Sequence, residues 1–303
     1  MKRLLEKIRR PTPIFFLGIG AQKSGSSWLH WQLYNHPEIW VPPLKEIRYF
    51  DNIDNENNAK QWLRERYKRN AKKLQRAIKE KDSRAPYLEE LTDWLKYAIT
   101  QAEKYEGREF YDKVITPVDS KLYRAKGEVT PSYSAMSVEK VEKLYNYYPD
   151  AKLIFIMRDP VQRAWSMARH IAIRNRQDYS LLKSEDFLRK FIRDKHYYNC
   201  GRYDRTIENY EKFFPNNQIN YSFFEEIFQG DNCWDYLEEI CEFLNISYNS
   251  SYFPEAHNPV LATEKVNMPK EAELVLLEAF QDVYDYIKKR FGRLPEAWME
   301  HSN

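Results

Sequence analysis

An apolar run that ends in a glycine- and serine-rich loop constrains this chain more than any other feature of its sequence. Residues 14–20 follow Pro13 and are predicted to form a strand that is buried on both faces. A polar loop over 21–25 comes next, and residues 26–34 have the apolar spacing of a helix that ends before Pro37. This order is typical of a phosphate-binding turn, because glycines let backbone N–H groups converge where the helix begins.

A second apolar run, residues 152–157, leads into Arg158, Asp159 and a helix predicted over about 161–174. Arg158 is expected to leave the carboxyl end of a strand, where open α/β sheets bind ligands. Its planar guanidinium suits bidentate contact with a phosphate, and Ser166, two helical turns later, can donate a hydrogen bond to the same group. The alternative is a structural ion pair between Arg158 and Asp159, with Ser166 incidental.

Strands alternating with helices predict an α/β fold, with a central, mostly parallel sheet of four to five strands flanked by helices. Further strands are predicted near 127–130 and 218–222, and further helices over 56–105, 137–148, 203–214, 233–244 and 270–291. We expect a single domain over residues 1–303, with a basic helical insertion at about 52–125. The predicted apolar face of that insertion consists of Leu63, Tyr67, Leu74 and Ile78.

Charge is distributed unevenly along the chain. The net charge is +3, yet residues 60–84 alone contain eleven basic and three acidic residues, a net +8. This segment either binds an anionic polymer or forms a solvated helix face, and no nucleic-acid motif accompanies it. We therefore expect no nucleic-acid partner. Hydrophobic residues make up 43% of the chain, which is enough for a sizeable core.

The cysteines and the longest apolar runs indicate the compartment. Cys200, Cys233 and Cys241 are odd in number and lack metal-ligand spacing, so we expect reduced thiols and no metal site. The run at 14–19 is too short for a signal peptide, and no run reaches the roughly 18 apolar residues of a membrane span. We expect a soluble, cytoplasmic protein.

Two motifs resemble those of the sulfotransferases that use 3′-phosphoadenosine 5′-phosphosulfate (PAPS). Residues 21–29 are similar to the family's 5′-phosphosulfate loop, K-x-G-[ST]-[ST] followed by a large apolar residue. Residues 155–166 match its 3′-phosphate motif, a strand, then R-[DN]-P, and a serine eight residues after the arginine. The resemblance implies a P-loop-like sulfotransferase fold, PAPS as sulfuryl donor, adenosine 3′,5′-bisphosphate as product, and no required metal. The implied donor-binding residues are Lys23, Ser24, Gly25, Ser26, Ser27, Trp28, Arg158 and Ser166.

A third segment, residues 43–51, resembles the K/Q-E-x-x-[FY]-F-[DN] motif of the heparan sulfate branch of this family. The resemblance implies that Glu46 is the general base. Because negative charge builds on the leaving oxygen during transfer, Lys23 is predicted to stabilise the leaving group; Lys45 and Arg48 are predicted to bind substrate. A salt bridge from Glu46 to Lys45 or Arg48 is the structural alternative, and such neighbours lower a carboxylate pKa unless burial opposes them.

The chain departs from that branch at two positions. Residues 128–133 resemble its E-K-T-P-x-Y motif, but Val129 replaces the lysine, and Arg48 stands where histidine is common. The candidates to replace the lysine are Lys121, Arg124 and Lys126. The candidate for the family's basic C-terminal donor loop is the segment 258–267, which contains Lys265.

The sequence therefore predicts transfer of a sulfuryl group from PAPS to a hydroxyl or amine acceptor, with a carbohydrate as first candidate. A P-loop nucleotide-dependent kinase is an alternative. Ser26 argues against it, because it occupies the position of the P-loop lysine. A non-catalytic protein that binds acidic glycans is the other. The oligomeric state is left open.

Overall fold

A computed structural model gives the fold of the chain and describes residues 12–115, 123–174, 182, 185–258 and 266–301. The strands are β1 (Ile14–Gly20), β2 (Ile39–Trp40), β3 (Ala125–Val129), β4 (Lys152–Met157) and β5 (Ile219–Phe223). The helices of the first half are α1 (Ser26–Asn35), α2 (Glu56–Glu80), α3 (Ala85–Lys104), α4 (Gly107–Ile115), α5 (Val138–Tyr147) and α6 (Pro160–Arg174). Those of the second half are α7 (Glu185–Arg193), α8 (Lys195–Asn199), α9 (Tyr203–Glu211), α10 (Phe224–Ile227), α11 (Asn232–Phe243) and α12 (Lys270–Phe291).

The strands form one parallel sheet in the order β2-β3-β1-β4-β5. This confirms the predicted α/β fold with a central parallel sheet flanked by helices. From β1 the chain continues to β2 and β3 on one side, whereas β4 continues to β5 on the other. The connections that leave β1 and β4 therefore run in opposite directions, and open α/β sheets bind ligands in the crevice that such a switch point creates.

Both faces of the sheet are buried. Phe15 and Leu17 of β1 lie in one hydrophobic core with Phe155 of β4, whereas Phe16 and Ile154 lie in the other. Successive side chains of a strand point to opposite faces, so the continuous apolar runs of β1 and β4 supply both cores at once. Helices α1 and α11 cover one face; α6, α9 and α12 cover the other.

Helix α2 packs against α3, and its predicted apolar face is confirmed except at one end. Leu63 is buried, Tyr67 packs against the core and Leu74 is half-buried, but Ile78 is 62% exposed and the neighbouring Ala77 is buried instead. The buried positions Leu63, Asn70 and Ala77 recur every seven residues, which is two helical turns. Ile78 lies about 100° further round the helix and faces solvent. Asn70 is accommodated because its Nδ2 donates to the carbonyl of Leu88 at 2.9 Å.

Two further findings concern the cysteines and the helices. All three cysteines are buried free thiols. Within the described ranges, no helix combines the length and the apolar character that crossing a membrane requires.

Candidate active site

The loop between β1 and α1 has a backbone shaped for close approach of a ligand. Lys23 has φ 69° and Gly25, the residue before α1, has φ 81°. Position 25 needs glycine because of this positive φ rather than because space is short, since a Cβ there would meet Phe224 at an ordinary 3.4 Å. Ala21 N donates to Ile156 O at 2.8 Å, which ties the loop to the end of β4. The N-terminus of α1 therefore opens at the switch point of the sheet.

Arg158 reaches this loop from the end of β4. Its Nη1 donates to the carbonyl of Lys23 at 3.0 Å, and its guanidinium lies 4.8 Å from the ring centroid of Phe224. Its own carbonyl accepts a hydrogen bond of 2.6 Å from Tyr203. The possible ion pair between Arg158 and Asp159 does not occur among the described ion pairs, because the Asp159 carboxylate turns to other partners. The two sequence motifs thus meet at one place.

A cleft of about 1370 Å³ opens where the motifs meet. Of the predicted site residues, it is lined by Lys23, Gly25, Ser26, Ser27, Trp28, Lys45, Glu46, Arg48, Arg158 and Ser166. Ser24 is not part of this lining: its side chain is fully buried, and its Oγ has no hydrogen-bond partner in the described structure. Trp28 is almost fully buried, and its indole N–H donates to Ala256 O at 2.7 Å.

The described lining is strongly cationic. It contains five basic side chains, from Lys23, Lys45, Arg48, Arg158 and Arg169, and a single carboxylate. Burial lowers the pKa of Lys23, and the positive charges of Arg158, Arg169 and Lys45 lower it further. An anion bound in the cleft would relieve this repulsion, so the electrostatics favour a highly charged anionic ligand.

The carboxylate in the cleft, Glu46, forms an ion pair with Lys45, whose Nζ lies 2.8 Å from its Oε1. Burial acts to raise the pKa of Glu46, but Lys45, Arg48 and Arg66 together outweigh it and lower the pKa. Arg48 itself pairs with Asp51 at 2.9 Å. Glu46 is therefore ionised at neutral pH and faces the cleft while also forming the salt bridge that the sequence left open as an alternative.

A buried carboxylate, Glu128, fixes the loop that carries Glu46. Its Oε1 accepts from the hydroxyls of Tyr111 and Tyr133, both at 2.8 Å. Its Oε2 accepts from Thr130 Oγ1 at 2.6 Å and from the backbone N–H of Ile47 at 3.0 Å. Burial raises the pKa of Glu128, against the effect of these four hydrogen bonds. The residue after Glu46 is thereby anchored to the end of β3.

The lysine that Val129 replaces has no substitute among the sequence candidates that the structure describes. Val129 is buried, and a Cβ added at Gly18 would lie 2.9 Å from its side chain. Arg124 pairs with Glu38 at 3.7 Å, and neither Arg124 nor Lys126 lines the cleft. Lys121 lies outside the described residues, and so does Lys265 of the predicted C-terminal loop.

Several cleft residues were not identified from the sequence. Among them are Gln22, Gln162, Trp165, Met167, Arg169, His170, Ile171, His196, Tyr197, Phe224, Phe228, Gly230, His257 and Met268. Val266 and Asn267, which also line the cleft, belong to the predicted segment 258–267. Arg169 and His170 follow Ser166 at helical spacings of three and four, so periodicity within α6 contained a signal for them. His196 lies on the short helix α8, with its Nε2 3.4 Å from Gln22 Nε2, and nothing in the local sequence marks it. Burial and then Arg48 lower the pKa of His196.

A solved structure has the same fold. A sulfotransferase from Alicyclobacillus acidocaldarius is similar with a TM-score of 0.61 at 21% identity, over 95% of this chain and 98% of that one. Sulfotransferase domains from the Synechococcus PCC 7002 olefin synthase and from the curacin biosynthetic pathway each give a TM-score of 0.47 at 13% identity and cover 94% of this chain. They are matched over 97% and 99% of their own lengths. No curated protein matched the chain in sequence. Residues 13–250 match the sequence model described as the sulfotransferase family, and the chain therefore belongs to that family.

Proposed function

We propose that the protein transfers a sulfuryl group from PAPS to a hydroxyl or amine acceptor. One observation carries the proposal: the hydrogen bond of 3.0 Å from Arg158 Nη1 to Lys23 O joins the two segments that are proposed to bind phosphate. A nucleotide phosphorylated at both its 5′ and 3′ positions needs two such segments side by side. The switch point between β1 and β4 is where an open α/β sheet provides them.

The donor fits the residues at this cleft. Lys23, Ser26 and Ser27, at the N-terminus of α1, are proposed to hold the 5′-phosphosulfate through backbone N–H groups, hydroxyls and one ammonium. Arg158 and Ser166 are proposed to hold the 3′-phosphate. The surplus of basic over acidic side chains in the described lining supports a donor with several negative charges.

Lys23 is proposed to stabilise the leaving group. In an in-line displacement the bond from sulfur to the bridging oxygen breaks while a bond from the acceptor to sulfur forms, and negative charge builds on the bridging oxygen. The ammonium of Lys23 would meet that charge, and adenosine 3′,5′-bisphosphate would leave. A sulfuryl group carries less charge than a phosphoryl group, so this mechanism requires no metal ion.

Glu46 is proposed to take the proton that the acceptor loses. Its carboxylate faces the cleft and is ionised, because the cations around it lower its pKa. A carboxylate with a lowered pKa is a weak base. In a loose transition state the attacking group has formed little of its new bond, so its proton is transferred late and a weak base can serve.

A carbohydrate acceptor remains our proposal on the resemblance of residues 43–51 alone. Lys45 and Arg48 line the same cleft as Glu46 and are proposed to contact the acceptor. The acceptor class is tested by transfer from labelled PAPS to N-desulfated heparin, a hexosamine, 2-naphthol and a tyrosine peptide. Sulfation of the heparin or the hexosamine supports the carbohydrate assignment, whereas exclusive sulfation of 2-naphthol or the peptide refutes it.

Thermal-shift measurements with adenosine 3′,5′-bisphosphate, ATP with Mg²⁺, and heparin test the function itself. A ligand at 100 times its Kd stabilises the folded state by about 2.7 kcal/mol. We expect stabilisation by the bisphosphate. Stabilisation by ATP with Mg²⁺ alone would favour the kinase alternative. Stabilisation by heparin alone, with no transfer from labelled PAPS, would favour the glycan-binding alternative.

A further inference from the structure

The 3₁₀ turn Glu296–His301 packs against the segment that carries Arg158, although it lies beyond the part of the chain matched by the family. Trp298 is fully buried and His301 is 7% exposed. The contacts of these two side chains therefore indicate what the turn does.

One set of contacts converges on Asp159, the residue after Arg158. Its Oδ1 accepts from the backbone N–H of Gln162 at 2.8 Å and so caps α6. Its Oδ2 accepts from the hydroxyl of Tyr284 at 3.0 Å and pairs with Nδ1 of His301 at 2.9 Å. Asp159 is thus fixed by α6, by α12 and by the C-terminal turn together.

A second set runs through Glu225, at the start of α10. Its Oε1 accepts from the backbone N–H of Asp159 at 3.0 Å, and its Oε2 accepts from the indole N–H of Trp298 at 2.7 Å. Tyr203, which donates to the carbonyl of Arg158, has its ring centroid 6.3 Å from that of Trp298. Tyr203 also accepts from the backbone N–H of Arg158 at 3.3 Å, so the backbone on both sides of the arginine side chain is held by groups that the turn contacts.

His301 lies between two carboxylates. Its Nδ1 faces Asp159, and its Nε2 lies 3.1 Å from Oε1 of Glu273 in α12. Both ring nitrogens can donate only when the imidazole carries both protons. The hydrogen bond to Asp159 raises the pKa of His301; burial opposes this, and the charges of Asp159 and Glu273 reinforce it. The groups that face it are Asp159 from the β4–α6 connection and Glu273 and Tyr284 from α12.

We propose that His301 and Trp298 are positioning residues for donor binding, which hold Asp159 and Glu225 and thereby keep Arg158 directed at the 3′-phosphate of the donor. This inference rests on the proposed function, because it needs a donor with a 3′-phosphate. A guanidinium whose backbone is fixed from both sides loses less side-chain freedom when it binds an anion. The C-terminal turn is therefore coupled to one phosphate of the donor rather than to the whole nucleotide.

The test compares two nucleotides that differ in that phosphate. Isothermal titration calorimetry measures the Kd of adenosine 3′,5′-bisphosphate and of AMP, which lacks the 3′-phosphate, for wild type, His301→Ala and His301→Gln. For His301→Ala we expect the Kd of the bisphosphate to rise roughly tenfold while that of AMP stays unchanged. His301→Gln retains a donor to Asp159, so its Kd for the bisphosphate should lie between those of wild type and His301→Ala. Glu300→Ala, an exposed neighbour in the same turn, is the control and should match wild type.

A pH series gives a second readout. His301 loses its proton as the pH rises through its raised pKa, so the wild-type affinity for the bisphosphate should fall there relative to His301→Gln. Trp298→Phe keeps an aromatic side chain but removes the donor to Glu225. It should also weaken the binding of the bisphosphate more than the binding of AMP.

Three results would overturn the inference. They are an unchanged bisphosphate Kd in both His301→Ala and Trp298→Phe, an equal weakening of both nucleotides, and parallel pH profiles for wild type and His301→Gln. A wild type that does not bind the bisphosphate at all refutes the proposed function, and this inference fails with it. If His301→Ala does not fold, the Gln and Phe variants decide the question.

Discussion

Replacing Lys23 by glycine should give a more stable protein than replacing it by alanine, although both variants lack the ammonium. At φ 69° the backbone of Lys23 lies in the left-handed region. That region costs an L-residue about 1–2 kcal/mol and costs glycine nothing, whereas glycine loses more chain entropy on folding, by about 0.5–1 kcal/mol. The difference leaves Lys23→Gly ahead of Lys23→Ala by about 0.5–1 kcal/mol.

Urea denaturation and thermal unfolding measure this difference. For a chain of 303 residues the entropy of unfolding is large, so 1 kcal/mol corresponds to only about 1.6 °C in Tm. Urea midpoints are therefore the primary readout, provided that the m-values of the two variants agree. Both variants should lower kcat for sulfuryl transfer by about 10²–10³, because each removes the ammonium that is proposed to stabilise developing charge.

The matched control is Lys72, an exposed residue in the interior of α2. Inside a helix the order of the two variants reverses: Lys72→Gly should be less stable than Lys72→Ala by about 1 kcal/mol. If the Lys23 pair shows the same order as the Lys72 pair, the left-handed backbone at Lys23 is not strained and the reasoning is refuted. The comparison needs no knowledge of the acceptor.

Three further predictions concern the site and its support. Glu46→Gln should leave the Kd of adenosine 3′,5′-bisphosphate unchanged and lower transfer by about 10²–10⁴. On the acid side, the wild-type rate should fall only below the ordinary carboxylate pKa, because the pKa of Glu46 is lowered. Full activity of the variant would assign the proton to another base. Arg158→Ala should raise the Kd of the bisphosphate by roughly 10- to 150-fold, as expected for loss of a charged hydrogen bond, with little effect on AMP in the same titration; equal losses for both nucleotides would place Arg158 elsewhere on the donor. Glu128→Gln should destabilise the fold by about 2–4 kcal/mol, since four buried hydrogen bonds lose a charged acceptor; an unchanged urea midpoint would contradict this role.

The elements that the sequence predicted well are those whose signal is local. β1 and β4 are continuous apolar runs, and α12 was predicted over the 270–291 range that the structure gives, because its periodicity is long and regular. β2 has two residues and α8 has five, and each depends on packing against distant segments. No pattern within such short stretches separates them from loops.

The residues of the candidate site also fall into two groups, those that local sequence predicts and those that it does not. Lys23 and Arg158 stand in motifs, so their meeting at the switch point could be expected from the order of the elements. The partners of Asp159 and Glu128 could not, because Tyr284, His301 and Tyr111 come from remote parts of the chain. Ile78 shows the limit within a single helix: spacing placed Leu63 and Tyr67 on the inner side of α2 correctly, but it misplaced Ile78 near the end of the helix.

The four donors around Glu128 come from α4, from the segment after β3 and from the loop that carries Glu46. A single carboxylate thereby links the helices of residues 56–115 to the half of the cleft where the acceptor is proposed to bind. The half proposed to bind the phosphates, built on the ends of β1 and β4, is held by further contacts, among them those of Asp159 and Glu225. We therefore expect sequence change in those helices to alter the choice of acceptor more than the recognition of the nucleotide.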